Sequence, residues 1–151
     1  MARPAASVES EKQLLGWWKL ESFYSEFRAT GEKKIAFGEK PNGYSIVTLD
    51  KRMTVIITAE QRKKPETDDE CVASFRSMIA YSGVYRVEDD RFITSVDIAW
   101  NEAWTGTEQV RLFKVEGDKL TMTTVWMPDP NTPGNPEFRG VLIWNRVKAL
   151  Q

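Results

Sequence analysis

Gly16-Trp17-Trp18-Lys19-Leu20 near the start of the chain and Ile143-Trp144-Asn145-Arg146-Val147 near its end decide how the sequence is read. A glycine and paired tryptophans open the first ordered stretch, and an arginine sits among the apolar residues of the last. Between them lie short segments that alternate apolar and polar residues, the signature of half-buried β-strands. A single helical pattern interrupts them. The two ends are therefore strands with one wet and one dry face, and the large aromatics on them have to be buried against something.

A chain of 151 residues suits one domain, able to bury roughly 70% of its unfolded surface without metals or disulfides. We expect residues 1–13 to form a flexible N-terminal segment and residues 14–149 a single barrel domain. Charge is balanced, 21 basic against 22 acidic residues, so no broad field draws in nucleic acid or an anionic membrane. There is no histidine. The commonest general base and metal ligand is thus absent, together with every Ser-His or Cys-His pair. Cys71 stands alone, which fits a reducing compartment. Residues 1–13 are polar and contain no signal-peptide core, and no stretch approaches the roughly 20 apolar residues of a membrane span. The expected location is cytoplasmic, with no nucleic-acid or membrane partner, no cofactor and no metal; a homodimer is left open.

Strand one runs from about Trp17 to Arg28, followed by a long Gly- and Pro-bearing loop to Asn42. Strands two (Gly43 to Leu49) and three (Met53 to Thr58) flank a tight turn at Asp50-Lys51. Residues equidistant from a tight turn share a face. Tyr44, Ile46 and Thr48 should then accompany Met53, Val55 and Ile57 inside, with Arg52 outside. Thr67-Asp68-Asp69-Glu70 has the spacing of a capping box, with acids at the positive end of the dipole. Cys71, Val72, Phe75, Met78 and Ile79 follow at helical spacing as an apolar face. Parity then groups Tyr81, Gly83, Tyr85 and Val87 with Phe92, Thr94, Val96 and Ile98. It also groups Gln109, Arg111, Phe113 and Val115 with Leu120, Met122, Thr124 and Trp126. After a proline-rich loop, strand eight spans Phe138 to Val147. The fold expected is all-β: an eight-stranded antiparallel up-and-down barrel with one helix between strands 3 and 4. Closure removes the edges that a flat meander would expose.

The Gly-x-Trp of the first strand and the Arg of the last resemble the lipocalin and calycin barrels. More narrowly, the chain is similar to the lipocalin-like domain proteins of bacteria and fungi. The segments that carry the likeness are Leu15 to Leu20, Asn42-Gly43-Tyr44, Phe75 to Tyr85, Gly106-Thr107-Glu108-Gln109-Val110-Arg111 and Trp144 to Val147. The resemblance implies that Trp18 plugs the closed end of the barrel, with Arg146 or Arg139 packed over it, and that the interior holds a ligand. It implies no settled activity. Members of that family often carry histidine on the fifth strand, where this chain has Thr94-Ser95, so any function of those histidines is altered here. The absence of disulfides also departs from secreted lipocalins.

Arg111 is the sharpest candidate for chemistry. It lies mid-strand on the face of Phe113, Leu120 and Met122, where an unpaired charge costs several kcal/mol. It either anchors an anionic or carbonyl-bearing ligand through its planar fork, or forms an internal structural pair. Tyr24, Tyr44, Tyr81 and Tyr85 fall on the faces assigned to the interior and offer hydroxyls to a ligand or act as acids. Asp97 points outward by parity unless a bulge turns it in, where it would serve as a base. A catalytic set would be Arg111, Tyr81, Tyr85 and Asp97. The ligand-binding set is Tyr24, Tyr44, Ile46, Met53, Val55, Tyr85, Gln109, Arg111, Phe113, Met122 and Trp126. Cys71, on the apolar helix face, reads as a small buried hydrophobe.

Three functions fit these residues. The first is binding of a small, largely apolar, aromatic or conjugated molecule in the barrel. The second is a cofactor-independent lyase, isomerase, cyclase or hydratase, by analogy of fold alone. The third is an interaction module whose barrel is filled with side chains.

Overall fold

The computed structural model describes residues 5–148. Residues 1–4 of the segment expected to be flexible and residue 149 of the expected domain lie outside the described part. Helix α1 spans Ala5–Gln13 and leads Leu14 into the core, where it is fully buried. The strands are β1 (Gly16–Phe27), β2 (Lys33–Ile35), β3 (Asn42–Val47), β4 (Arg52–Thr58), β5 (Met78–Glu88) and β6 (Arg91–Ala99). They continue as β7 (Glu108–Glu116), β8 (Lys119–Thr124), β9 (Met127–Pro128) and β10 (Glu137–Arg146). Helix α2 spans Asp68–Arg76, and a single 3-10 turn spans Glu102–Trp104.

Eight strands close a ring in the order β1-β3-β4-β5-β6-β7-β8-β10, and β1 pairs back onto β10. Every pairing is antiparallel. The two short strands sit outside the ring, β2 on β1 and β9 on β10. The molecule is thus an all-β, closed, eight-stranded antiparallel barrel. The helix does not fall between the third and fourth strands as expected: α2 lies after β4. The reason is β2, three residues of the long loop that pair along β1 at Tyr24 to Glu26 and add a strand upstream.

One end of the barrel is sealed. Trp18 is fully buried, and its Nε1–H donates to the Leu14 carbonyl at 2.9 Å. The Arg146 guanidinium lies over its ring, 4.3 Å from the centroid. Arg146 also donates to the carbonyls of Leu15 and Gln13 and pairs with Asp118. Its charge is therefore met by three acceptors as well as by the face of the indole. Leu20, Val47, Val87, Phe92, Leu120 and Trp144 belong with Trp18 to one buried apolar cluster. Glu11 of α1, itself buried, forms an ion pair with Lys51 and ties the helix to the β3–β4 turn.

Three local features move residues away from the faces that alternation assigns. In the β3–β4 hairpin Val47 pairs with Met53 and Tyr44 with Ile56, one residue off the expected register. The loop holds three residues, with Lys51 at φ 72°, so it is the longer hairpin connection that ends in a left-handed residue. A slip of one residue moves a whole strand to its other face. Tyr44 and Ile46 consequently point outward, and Gly43, Ser45 and Val47 point in. In β1 a bulge between Leu20 and Ser22 switches the inward series from Trp18 and Leu20 to Phe23 and Ser25. Tyr24 is left outside under the Lys33 ammonium, 5.0 Å from its ring centroid.

The third feature is a bulge in β6. Gly83 pairs with Val96 and Ser82 with Ile98, leaving Asp97 unpaired. Ile98, expected inside, is 64% exposed. Asp97 stays outside, held by Arg52 at 2.5 and 3.1 Å. That pair draws the Asp97 carboxyl below its ordinary value, chiefly through the Arg52 hydrogen bond. Gly83 is required where the two strands close on the bulge, since a β-carbon there would lie 2.0 Å from the Ser95 carbonyl oxygen.

Helix α2 is capped as its sequence predicts, with the Thr67 hydroxyl accepting from the Glu70 N–H at 3.2 Å. It ends at Arg76, so Met78 and Ile79 belong to β5 and not to its apolar face. The rest of that face is open: Cys71 is exposed, as are Val72 and Phe75. The expected burial of Cys71 is therefore corrected. Polar contacts from Trp100 and Arg62 are among those that hold α2 in place. Trp100 Nε1–H donates to the Phe75 carbonyl, and Arg62 bonds Ser74 and Ser77.

Candidate functional site

Above the Trp18 plug the barrel encloses a cavity of about 350 Å³, within the range of small-molecule sites. Its wall is mostly apolar. Phe23, Met53, Val55, Ile57 and Ile79 line one part, and Met122, Met127, Phe138, Leu142 and Trp144 another. Each inward side chain is placed by strand parity, corrected at the bulges just described. The 3-10 turn brings Trp104 to the mouth, where it packs against Tyr81 at 5.3 Å and Trp100 at 5.1 Å between ring centroids. A broader groove under α2, lined by Ala36, Phe37, Val72 and Arg76, is open to solvent. It lacks the enclosure of the central chamber and mixes charged with apolar walls.

The polar groups of the chamber are few. Arg111 stands on β7 opposite Phe92 and Thr124. It donates to the Val110 carbonyl at 3.0 Å and to Gln109 Oε1 at 3.3 Å. No Asp or Glu is among the residues lining the cavity, and among the described residues Arg111 has no carboxylate partner. A guanidinium carries five N–H donors, so these two bonds leave most of its donor capacity unused. Gln109 is in turn turned by Thr107, to which its amide donates at 3.0 Å. Trp144, 2% exposed, has an Nε1–H with no acceptor among the described residues. Tyr81, Ser25, Ser45 and Thr124 complete the polar lining.

Of the residues singled out from sequence, Met53, Val55, Tyr81, Gln109, Arg111 and Met122 reach the cavity. Phe113 points inward opposite Met122 but packs into the core and does not line the chamber. Tyr85 is buried lower down, stacked on Phe92 at 4.7 Å with its hydroxyl donating to the Thr48 carbonyl. Tyr24, Tyr44, Ile46 and Asp97 lie on the outer surface. Trp126 is also outside: β8 stops at Thr124, the alternation breaks, and the Trp126 ring lies under Arg139 (4.5 Å) and Arg28 (5.5 Å). Met127 takes the inward position instead. The candidate catalytic set is thus split, with Arg111 and Tyr81 in the chamber, Tyr85 beneath it and Asp97 outside it.

Phe23 and Ser25 were missed because the β1 bulge precedes them, and Ser45 because the face of β3 is set by the unread extra residue of the β3–β4 loop. Phe138, Gly140, Leu142 and Trp144 follow from β10 once Trp144 is known to face in, and that choice was open from sequence. Among the described residues no cluster of His, Cys, Asp or Glu side chains suits a metal ion, and no helix is long and apolar enough to cross a membrane.

A closed barrel, plugged at one end and hollow above the plug, defines a container with an enclosed chamber. The chain belongs to the lipocalin-like domain family, which it matches over residues 15–147. It is 32% identical over 92 residues to the 4'-hydroxy-3'-methoxypropiophenone carrier protein of Aspergillus oryzae, covering 56% of this chain and 80% of that one. Among solved structures it is similar to an uncharacterized protein from Bacteroides eggerthii, at 11% identity and a TM-score of 0.44, over 89% of this chain and 99% of that one. A likeness that slight carries no argument about function.

Proposed function

We propose that this protein binds a small, largely apolar aromatic molecule in the barrel chamber and holds it without chemical change. The observation that carries the reading is the chamber itself: about 350 Å³, walled by methionines, aliphatics and aromatics, with polar groups on few sides. Such a wall favours a flat apolar body, while Arg111 and Gln109 orient whatever oxygen it bears. The name of the Aspergillus oryzae relative, a carrier for an aryl ketone, suggests the ligand class. Binding fits better than turnover because the residues named for acid–base work do not converge. Asp97 is engaged with Arg52 on the outer surface, and Tyr85 is engaged with Thr48 below the chamber.

Trp104 and Trp144 line the chamber, so their emission reports occupancy. Titration with 4'-hydroxy-3'-methoxypropiophenone and related aryl ketones should quench fluorescence saturably at one equivalent. Arg111→Met should weaken binding. Native mass spectrometry of protein from its own host should find a co-purifying small aromatic. Absence of both a saturable response and a co-purifying molecule would reject the reading.

A further inference from the structure

We infer that the chamber takes its aromatic ligand as an oxyanion, with the negative charge seated against Arg111. This deepens the binding reading above and rests on it. The argument begins with a charge count inside the barrel. Among the residues lining the cavity the only charged side chain is Arg111, and the only other titratable one is Tyr81. Glu26 of β1 is committed to Arg139 and Glu137 of β10 to Arg28, at 2.9 and 2.8 Å, and Glu102, in the turn that carries Trp104, accepts from the Thr105 hydroxyl at 3.2 Å. Asp97 is held by Arg52 on the far side of the β6 wall. The residues lining the chamber therefore carry one positive charge and no counter-charge.

Two internal acceptors touch that guanidinium, and both are neutral: the Val110 carbonyl and the Gln109 amide oxygen. Both hold it in place without neutralising it. A half-buried cation beside apolar walls attracts an anion more strongly than it would in water, because the effective dielectric is lower. A neutral ligand would leave the charge unmatched and strip some of its water. An anionic oxygen on the ligand meets it with charge-assisted hydrogen bonds, roughly twice as strong as neutral ones. A flat aromatic with an ionised phenol or a carboxylate satisfies both the walls and the charge. Stacking on the mouth aromatics Tyr81 and Trp104 suits the rest of its ring.

The test uses the intact protein and four probes: a para-hydroxy aryl ketone, its phenol methyl ether, a para-alkyl benzoate and the matching benzamide. Phenolate formation shifts the ketone's absorption to longer wavelength. The expected result is a phenolate band for bound ketone at a pH where the free ketone is mostly neutral. Its affinity should rise with pH up to its free pKa and then level off. The methyl ether and benzamide should bind roughly tenfold or more weakly than their ionisable or ionised partners. Arg111→Met should abolish both preferences and Arg111→Lys should retain part of them. Preference for the benzoate pair alone assigns a carboxylate ligand; preference for the phenol pair assigns a phenolate. If the neutral probes bind as well as the anions, this inference falls and the binding reading stands. If none of the four binds, this inference falls, and the binding reading falls with it when no small aromatic co-purifies with the protein. The wild-type comparison decides the matter even if Arg111→Met does not fold.

Discussion

Replacing Trp18 by alanine is the most direct probe of how the barrel is closed. The indole is fully buried, donates to Leu14 and carries the Arg146 guanidinium on its face. Deleting a large core aromatic costs about 3–5 kcal/mol through lost transfer energy and the void left behind. The upper part of that range applies here, because the Leu14 carbonyl loses its donor and Arg146 loses its ring. Trp18→Phe separates these contributions. It keeps a ring under Arg146 and removes mainly the N–H and some volume, and should cost about 1–2 kcal/mol. A double-mutant cycle with Arg146→Met should give a coupling of roughly 0.5–1 kcal/mol, the scale of an accessible cation–π contact. Equilibrium urea unfolding followed by far-UV circular dichroism measures all three, with the denaturant slope checked for constancy. A loss below about 1 kcal/mol for Trp18→Ala, typical of surface changes, would overturn the plug. So would a Trp18→Phe loss equal to that of alanine.

Gly83→Ala forces a β-carbon to within 2.0 Å of the Ser95 carbonyl, so β5 and β6 must part, at a cost of roughly 3 kcal/mol or more in the same unfolding assay; a neutral result would mean the strands separate freely there. Asp97→Asn should be felt mainly at neutral pH. The wild-type carboxyl is held below its ordinary value of 3.8 by Arg52, so the stability it adds is present above that value and lost as pH falls through its lowered pKa. The gap in Tm between wild type and variant should therefore shrink on acidification, and a pH-independent gap would rule out the ion pair as its source. Arg111→Met should change stability by less than about 1 kcal/mol, since it strands no buried carboxylate; a loss of roughly 3–5 kcal/mol would reveal a structural partner.

Much of the architecture was legible because it rests on period and composition. Trp18 with Arg146, the Thr67 capping box, and the inward run from Arg111 through Met122 follow from residue types at fixed spacing. The β7–β8 pair held its parity because the Glu116-Gly117 turn has a glycine where φ is positive. The β3–β4 hairpin has Lys51 in the corresponding conformation, and no glycine announces the extra loop residue. Tyr44 and Ile46 were therefore placed on the wrong face. Bulges at Glu21 and Asp97 misplace Tyr24 and Ile98 for the same reason: an unpaired residue leaves no mark on the alternation of its neighbours. The loss of Trp126 from the interior follows from β8 ending two residues earlier than its apolar pattern. These irregularities hid Phe23, Ser25, Ser45 and Met127 of the chamber wall, while Arg111 lies on a strand that has none.

The pairing of β1 with β10 governs when the container comes into being. Arg146 reaches back across 131 residues to the Leu15 carbonyl, and nine rungs join the two strands. Contacts this distant in sequence are entropically slow to form, so the topology belongs with slow-folding β proteins. While β10 is still within the ribosome, β1 has a bare edge and Trp18 has no cation over its ring. The inner wall is then wet, and the nascent chain is an open, sticky sheet. Burial of Trp18 and the appearance of a ligand-competent interior should consequently be a single late event. A ligand present during refolding would act on the closed form alone, pulling the equilibrium toward it without hastening closure unless closure has already begun in the transition state.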